Sequence, residues 1–375
     1  MRILFICGSF DPGRDGVGDY TRQLAQACVD SGHSCLLLSL CDVIDDEAET
    51  NGIRLIRRRR ILNASAELKS ELQAALSEWK PDWLSLQFVC FSFHPKGFVH
   101  SLFSFLNSLP DGVQRHIMFH ELWIRQAPAM PFKLRVLGLL QRLQILRAIK
   151  RWQPQQCHTS NTLYHTILAE NNIPSVQLPL FGNIPIAPPS PDRASALLSK
   201  RTSATQERTV IVPFSQLDRW EVQQAMTRLH ALAIEAKLTL HLVQVGVDRN
   251  GQARWAQIAQ LCKQWGWGCD QLEAQDSTTI SQLMQIADFG MNSSHIQMCQ
   301  KSGAVLSMLE HGLPVLCAGI TPESRRAHTR PDHASLFSIN DDDSTLISLL
   351  TSPMQRRPEH NAMEIAQQFI SDLER

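Results

Sequence analysis

"RILFICGSF" (Arg2–Phe10) leads almost at once into "GRDGVGDYTRQLA" (Gly13–Ala25): an apolar run, a glycine-bearing turn and an amphipathic segment in succession. Ile3–Cys7 reads as a buried parallel strand, and Tyr20, Leu24, Ala27 and Cys28 form a helical stripe that ends at Gly32. A strand that turns directly into a helix opens a βαβ unit. Gly16 and Gly18 remove side chains where the backbone turns, and the helix start offers N–H groups and partial positive charge that suit a phosphate. A tight turn with no ligand accounts for the same two glycines. The spacing is not G-x-G-x-x-G, and no acidic residue stands alone at the end of the second strand to hold a ribose, so a dinucleotide site is disfavoured.

The alternation continues outward. "CLLLSL" (Cys35–Leu40), "IRLI" (Ile53–Ile56), "WLSLQF" (Trp83–Phe88), "RHIMFH" (Arg115–His120) and "QCHTS" (Gln156–Ser160) read as strands, with a helix over Ala66–Trp79. "PLFGNIPIAPPSPDRASALLSKRTSATQER" (Pro179–Arg208) lacks a period and reads as a linker. Beyond it "TVIVPF", "LTLHLVQVG", "FGMNS" and "PVLC" alternate with helical stretches at Glu221–Ala236, Gln252–Trp265, Thr278–Ala287 and Gly303–His311. The expected class is α/β, with two doubly wound, Rossmann-like parallel-sheet domains and a ligand cleft between them. The expected boundaries are 1–185 and 186–356, followed by an amphipathic tail.

The bulk numbers exclude several classes. The chain has 375 residues, 43% of them hydrophobic, and 36 basic residues balance 36 acidic ones, which disfavours a nucleic-acid partner. Ten cysteines without a C-x-x-C pair sit mostly in apolar runs, as reduced core residues do. The N-terminal apolar run is too short for a signal peptide, and no run reaches the ~20 residues of a membrane span. A cytoplasmic protein is expected, without cofactor or metal: no His/Cys cluster has ligand spacing, and Asp341-Asp342-Asp343 reads as a solvated helix cap.

A second loop matches the first. In "HIQMCQKSGAVLSMLEHGLPVLC" (His295–Cys317), Lys301 supplies a charge, and the Ser302 hydroxyl and Gly303 amide stand at a helix start, again facing a phosphate. Glu310, two turns on, either reaches a partner or a ligand hydroxyl or is solvated.

The GVG-type turn, the two-domain layout and the final "SGAVLSMLEHGLPVL" resemble a GT-B glycosyltransferase, similar to family four. "LQFVCFSFHPKGF" (Leu86–Phe98), "FHELW" (Phe119–Trp123) and "HTSNTLYHTIL" (His158–Leu168) resemble segments of its polysaccharide-building members. The resemblance implies a sugar-nucleotide donor and a saccharide or lipid-linked acceptor. It implies that Gly16, Val17 and Gly18 approach the donor phosphate or the acceptor, and that His120 contacts a hydroxyl of the transferred sugar. Lys301, Ser302 and Gly303 would hold the diphosphate and Glu310 the ribose, while the C-terminal helix, 357–375, would pack back onto the first domain. The chain departs from the pattern twice. The two positions of the family's E-x7-E pair fall on Cys299 and Ser307, and Arg219 is the sole cation after the first strand of the second domain.

Transfer with retention can use the leaving phosphate as base; inversion needs a side-chain base, for which Asp19, His120 and Glu121 are the candidates. A histidine at a strand end is also a common satisfied core residue. His94 and Lys96, on a loop after a strand, could meet an acceptor or be ordinary exposed residues. "MPFKLRVLGLLQRLQILRAIKRW" (Met130–Trp152) holds six cations and no acid. It reads either as a core helix with a solvated basic side or as a peripheral contact with anionic lipid at the inner membrane face. Arg57–Arg60 reads as a solvated strand end.

Overall fold

Apolar runs of four to eight residues bounded by turns can bury both faces of a strand, which is what a sheet covered by helices on both sides requires. The computed structural model describes residues 1–12, 15–59, 61–109, 112–124, 131–199, 206–213, 222–246, 252–319, 331, 333–352, 358–359 and 361–375. The chain divides into two compact units, Met1–Leu180 with Ala362–Arg375, and Phe181–Asn361.

The first unit holds strands β1 (Arg2–Cys7), β2 (Ser34–Ser39), β3 (Asp46–Thr50), β4 (Ile53–Arg57), β5 (Trp83–Phe88), β6 (Gln114–Phe119), β7 (Gln156–Thr159) and β8 (Val176–Gln177). They lie in the order β3-β4-β2-β1-β5-β6-β7-β8, parallel except for β3, which runs antiparallel to β4. In register, Ile3 pairs with both Cys35 and Trp83, so β1 is central and the strand order reverses between β1 and β5. Its helices are α1 (Gly16–Asp30), α2 (Ala66–Trp79), α3 (Cys90–Phe93), α4 (His100–Leu106), α5 (Phe132–Trp152) and α6 (Thr162–Glu170). The last helix of the chain, Ala362–Leu373, also belongs to this unit; its Phe369 ring packs on Phe5 at 5.8 Å between centroids. N-caps fix the starts: Asp15 for α1, Ser65 for α2 and Asn161 for α6.

The second unit holds α7 (Pro191–Ala196), β9 (Gln206–Pro213), α8 (Val222–Glu235), β10 (Leu238–Val245), α9 (Gln252–Trp265), β11 (Gly268–Leu272) and α10 (Ser277–Ile286). Then follow β12 (Phe289–Asn292), α11 (Gly303–Glu310), β13 (Val315–Cys317), β14 (Leu336–Ser338) and α12 (Asp343–Thr351), and we number the terminal helix α13. The strand order is β11-β10-β9-β12-β13-β14, with every pair parallel, and the order reverses between β9 and β12. Val210 and Val212 of β9 enter one core cluster and Ile211 another, so both faces of this sheet are covered. Burying one such side chain contributes about 1.5–3 kcal/mol. Asp342 caps α12 by accepting from Thr345 N–H at 2.9 Å, as expected of the acidic run.

Three expectations need correction. The described residues of Pro179–Arg208 are not a free linker: Ala187 N–H donates to Ser281 Oγ at 2.9 Å, Ala194 is buried, and Gln206–Arg208 already form β9. Proline-rich chain without a period can still be held by its backbone groups, which hydropathy does not register. Arg57 is not solvated either. It is 9% exposed and binds Asp42 at 2.7 Å. An acid does stand beyond the second strand, but the Asp42 carboxylate is consumed by Arg57, Ser39 Oγ (2.7 Å) and the N–H groups of Phe10 (2.9 Å) and Val43 (2.7 Å). Burial alone would raise its pKa; these donors hold it at about 2.

The described cysteines are free thiols. Among the described residues no helix is long and apolar enough to cross a membrane.

Candidate functional site

In open parallel sheets, ligands gather at the carboxyl ends of the strands where the order reverses. In the first unit that point is the end of β1, where the glycine turn lies. Asp15 Oδ1 accepts from Val17 N–H and Gly18 N–H, each at 3.0 Å. The amides that could have met a phosphate are thus donated to a carboxylate of the chain itself. Burial raises the Asp15 pKa against these two bonds, and nearby Asp42 and Asp11 add to the rise.

The two glycines differ. A Cβ at Gly18 would lie 2.4 Å from Ser9 O, so this residue is small because the backbone of the preceding loop crosses it. A Cβ at Gly16 would meet nothing within 4 Å. What the turn approaches is Ser9.

His120 follows β6. Its ring is buried, its Nε2 lies 2.9 Å from Gln87 Oε1 of β5, and its ring centroid is 5.2 Å from that of Tyr20 of α1, edge to face. α1, β5 and β6 therefore converge on this imidazole. Sequence reasoning missed Gln87 and Tyr20, although a glutamine inside "WLSLQF" is a signal: a polar side chain in a doubly buried strand must find a partner. Asp19 stands half-buried on the first turn of α1, and Glu121, also half-buried, follows His120 with its N–H 3.3 Å from Phe88 O.

His94 Nδ1 accepts from Lys96 N–H (3.0 Å) and Phe98 N–H (3.4 Å), which fixes the loop after α3. Gln141 of α5 reinforces it by donating to Lys96 O at 2.8 Å and accepting from Ile124 N–H at 2.9 Å. His94 thereby shapes its own loop, whatever its Nε2 meets.

In the second unit the reversal lies between β9 and β12. The loop after β12 carries Lys301, half-buried at the end of a short 3₁₀ helix (Ile296–Lys301), and Ser302, whose Oγ caps α11 by accepting from Val305 N–H at 3.4 Å. Gly303 opens α11, with the Asn183 amide 3.4 Å from where its Cβ would be. Glu310 is buried at 6% exposure, which removes the solvated reading. Its carbonyl accepts from Glu359 N–H at 2.8 Å. Arg219 lies outside the described residues. Among the described residues, no group of three or more His, Cys, Asp or Glu side chains could hold a metal ion.

No protein-family profile matches the chain, and no curated protein matches it in sequence. Solved structures do match over its whole length. A sucrose-phosphate synthase from Thermosynechococcus elongatus is 15% identical, with TM-score 0.62, covering 100% of this chain and 97% of that one. The UDP-GlcNAc 2-epimerase of Methanocaldococcus jannaschii is 9% identical, with TM-score 0.58 and coverage of 100% and 99%. The catalytic domain of starch synthase IV from Arabidopsis thaliana is 11% identical, with TM-score 0.57 and full coverage of both chains. The fold is GT-B.

In this GT-B chain the two positions where the resemblance expects glutamates are closed. Cys299 is 2% exposed and Ser307 1%. The backbone of Gly182 crosses Ser307 so tightly that a Cβ on that glycine would lie 2.5 Å from Ser307 Cα, and Ile184 N–H donates to Ser307 Oγ at 3.3 Å. Glu310, three residues beyond Ser307 on the same helix face, is the carboxylate that α11 does carry.

Proposed function

We propose that the protein is a glycosyltransferase that moves a sugar from a nucleoside-diphosphate donor to a saccharide or lipid-linked acceptor, with retention and without a metal. The observation that carries this reading is Lys301-Ser302-Gly303 at the start of α11, on the loop beside the strand reversal of the second sheet. A departing diphosphate gains negative charge, and a cation next to a helix start stabilises it; losing one such donor costs ~10²–10³ in rate. Arg219 would add a second cation. Glu310 would take the ribose: seven residues beyond Gly303, it stands about 10 Å further along the helix.

In the first unit His120 would bind a hydroxyl of the transferred sugar. Gly16, which faces open space, would border the donor, together with Val17 and Gly18. His94 and Lys96 would meet the acceptor. The C1–O bond to the diphosphate breaks as a C1–O bond to the acceptor forms on the same face. The acceptor proton passes to the leaving phosphate oxygen, so neither Asp19 nor Glu121 need act as base. Support for a nucleotide sugar comes from solved GT-B structures, among them the starch synthase bound to ADP and acarbose and a Neisseria meningitidis epimerase bound to UDP-GlcNAc.

α5 supports a lipid-linked acceptor met at the cytoplasmic membrane face. Phe132 (78% exposed), Leu134, Val136, Leu139, Leu140 and Leu143 are exposed among Lys133, Arg135, Arg142, Arg147, Lys150 and Arg151. Only Gly138, Gln141, Ile145, Ile149 and Trp152 of this helix are buried. Exposed apolar side chains among cations are what an anionic bilayer binds.

A second reading, a GT-B protein that binds a nucleotide sugar or glycan without turnover, draws on the buried Cys299 and Ser307. One experiment separates the readings: thermal-shift screening of nucleoside diphosphates and their sugars, then incubation of the best donor with and without saccharide acceptors. Release of nucleoside diphosphate with a new glycoside supports transfer. Binding without release supports the second reading, isomerised donor without transfer indicates an epimerase, and no stabilisation by any nucleotide overturns the proposal.

A further inference from the structure

A line of buried polar side chains runs from His120 across the sheet to the last helix. His120 Nε2 lies 2.9 Å from Gln87 Oε1, and Gln87 Nε2 is 2.9 Å from Ser85 Oγ. Ser85 Oγ is 2.8 Å from His116 Nδ1, and His116 Nε2 is 3.0 Å from His158 Nδ1. His158 Nε2 ends the line 3.1 Å from Asp372 Oδ2 on α13. Every member is buried, the most exposed being Asp372 at 7%.

Such a line has one consistent direction. A carboxylate only accepts, so His158 Nε2 carries the hydrogen and donates to Asp372. Burial lowers the pKa of both His158 and His116, and Asp372 only partly opposes this for His158, so both rings are neutral near pH 7. A neutral His158 accepts at Nδ1, which places the hydrogen of His116 on Nε2 and makes its Nδ1 an acceptor. Ser85 O–H donates there, Ser85 Oγ accepts from the Gln87 amide, and the Gln87 carbonyl accepts from His120 Nε2–H. The Gln156 amide also lies 3.2 Å from His158 Nε2; with its oxygen turned inward it accepts from the same N–H.

We propose that Asp372, Ser85 and Gln87 are positioning residues: the buried line from Asp372 locks His120 in the Nε2–H tautomer, in which Nδ1 is the accepting nitrogen of the ring. The tautomer claim concerns the protein alone, and the contact of His120 with a sugar hydroxyl rests on the proposed function. C-terminal residues far from His120 in sequence thereby act on the imidazole without touching ligand.

The test is long-range ¹H–¹⁵N correlation of histidine-labelled full-length protein at pH 7.5, with the His120 signals assigned by their loss in His120→Gln. The wild type should show a single Nε2–H tautomer at His120. Asp372→Leu, which leaves no acceptor at that position, and Ser85→Ala interrupt the line at its end and its middle; each should convert His120 to a tautomer mixture, and Asp372→Glu should keep the single form. An unchanged Nε2–H signature in whichever of the two interrupting variants remains folded overturns the proposal. Where transfer is measurable, the same variants should lower kcat about tenfold with KM for the acceptor unchanged. A locked tautomer in a protein that binds no nucleotide sugar sinks the functional reading and leaves the line standing. A mixed tautomer in the wild type sinks the line alone.

Discussion

His158 of β7 and Asp372 of α13, 214 residues apart, meet at 3.1 Å inside the first unit. The Phe369 ring beside them packs on His116 at 5.1 Å and on His158 at 6.1 Å between centroids. The end of the chain therefore closes a polar line within the first sheet and also buries an aromatic ring over it. Removing one partner of such a buried pair leaves an unsatisfied group, at a cost of about 1–3 kcal/mol.

This core makes stability sensitive to pH in a stated direction. The His116 pKa is pushed well down, first by burial and then by His158 and His120. The unfolded chain takes up that proton near pH 6.5 while the folded chain resists it, so the stabilisation is complete above about pH 6.5 and is lost as pH falls below it. The Tm of the wild type should decline between pH 7 and 5, and His116→Gln should decline less steeply even though it starts lower. Parallel slopes would show that this histidine does not govern the acid limb. Asp42 acts in a separate window, its contribution present above the ordinary carboxylate value and lost as pH falls through about 2.

Gly18→Ala and Gly16→Ala should part company. The first forces a Cβ to within 2.4 Å of Ser9 O and should cost about 1–3 kcal/mol through displacement of the β1–α1 loop. The second adds a methyl group to open space in the first turn of a helix and should be neutral or stabilise by up to about 1 kcal/mol. Denaturant midpoints of the two variants measure the difference; equal losses would contradict the packing described at Gly18.

The parallel strands were legible because apolar side chains leave no other home for such runs: β1, β2, β5 and β6 fall within one or two residues of the apolar stretches, and α2 and α9 match their expected spans. β3 was not legible. Its "DEAET" is exposed throughout and is held by ladder hydrogen bonds to β4 and by Glu47 pairing with Arg54 and Arg58, none of which leaves a hydropathy trace. Polar residues in "WLSLQF", "RHIMFH" and "QCHTS" were visible, but their partnership crosses three strands and the last helix, and sequence spacing does not encode such distances. The same limit hid Asp15: a capping aspartate before a helix is expected from composition, yet that it would claim both Val17 and Gly18 amides depends on backbone angles.

Lys301→Ala should weaken binding of a nucleoside diphosphate by roughly 10–100-fold, the worth of a charge-assisted hydrogen bond. Calorimetric titration of the diphosphates found by thermal shift measures it. Lys301→Arg should retain most of the affinity. If both variants bind like the wild type, the diphosphate is not held at this loop.

Ser307→Glu places a carboxylate at one of the positions where the resemblance expects it. Ser307 is 1% exposed under the Gly182 backbone, so the longer side chain must push the 181–184 segment away. The variant should lose at least about 1–3 kcal/mol and gain no transfer activity. A stable variant with faster turnover would mean that the segment yields and that the missing glutamate limits this chain.

Phe132→Ser with Leu139→Ser and Leu143→Ser should reduce binding to vesicles rich in anionic lipid while leaving the Tm within a degree or two, because side chains 78%, 45% and 41% exposed contribute little to the core. Replacing Lys133, Arg135, Arg147 and Lys150 by Gln should weaken the same binding by about 1 kcal/mol per charge and remove its salt dependence. The two sets test different forces. Apolar insertion responds to the serines at any ionic strength, whereas surface attraction responds to the glutamines only at low salt. Sedimentation with vesicles at two salt concentrations distinguishes them, and a wild type that does not sediment with anionic vesicles at low salt removes the membrane from the account of α5.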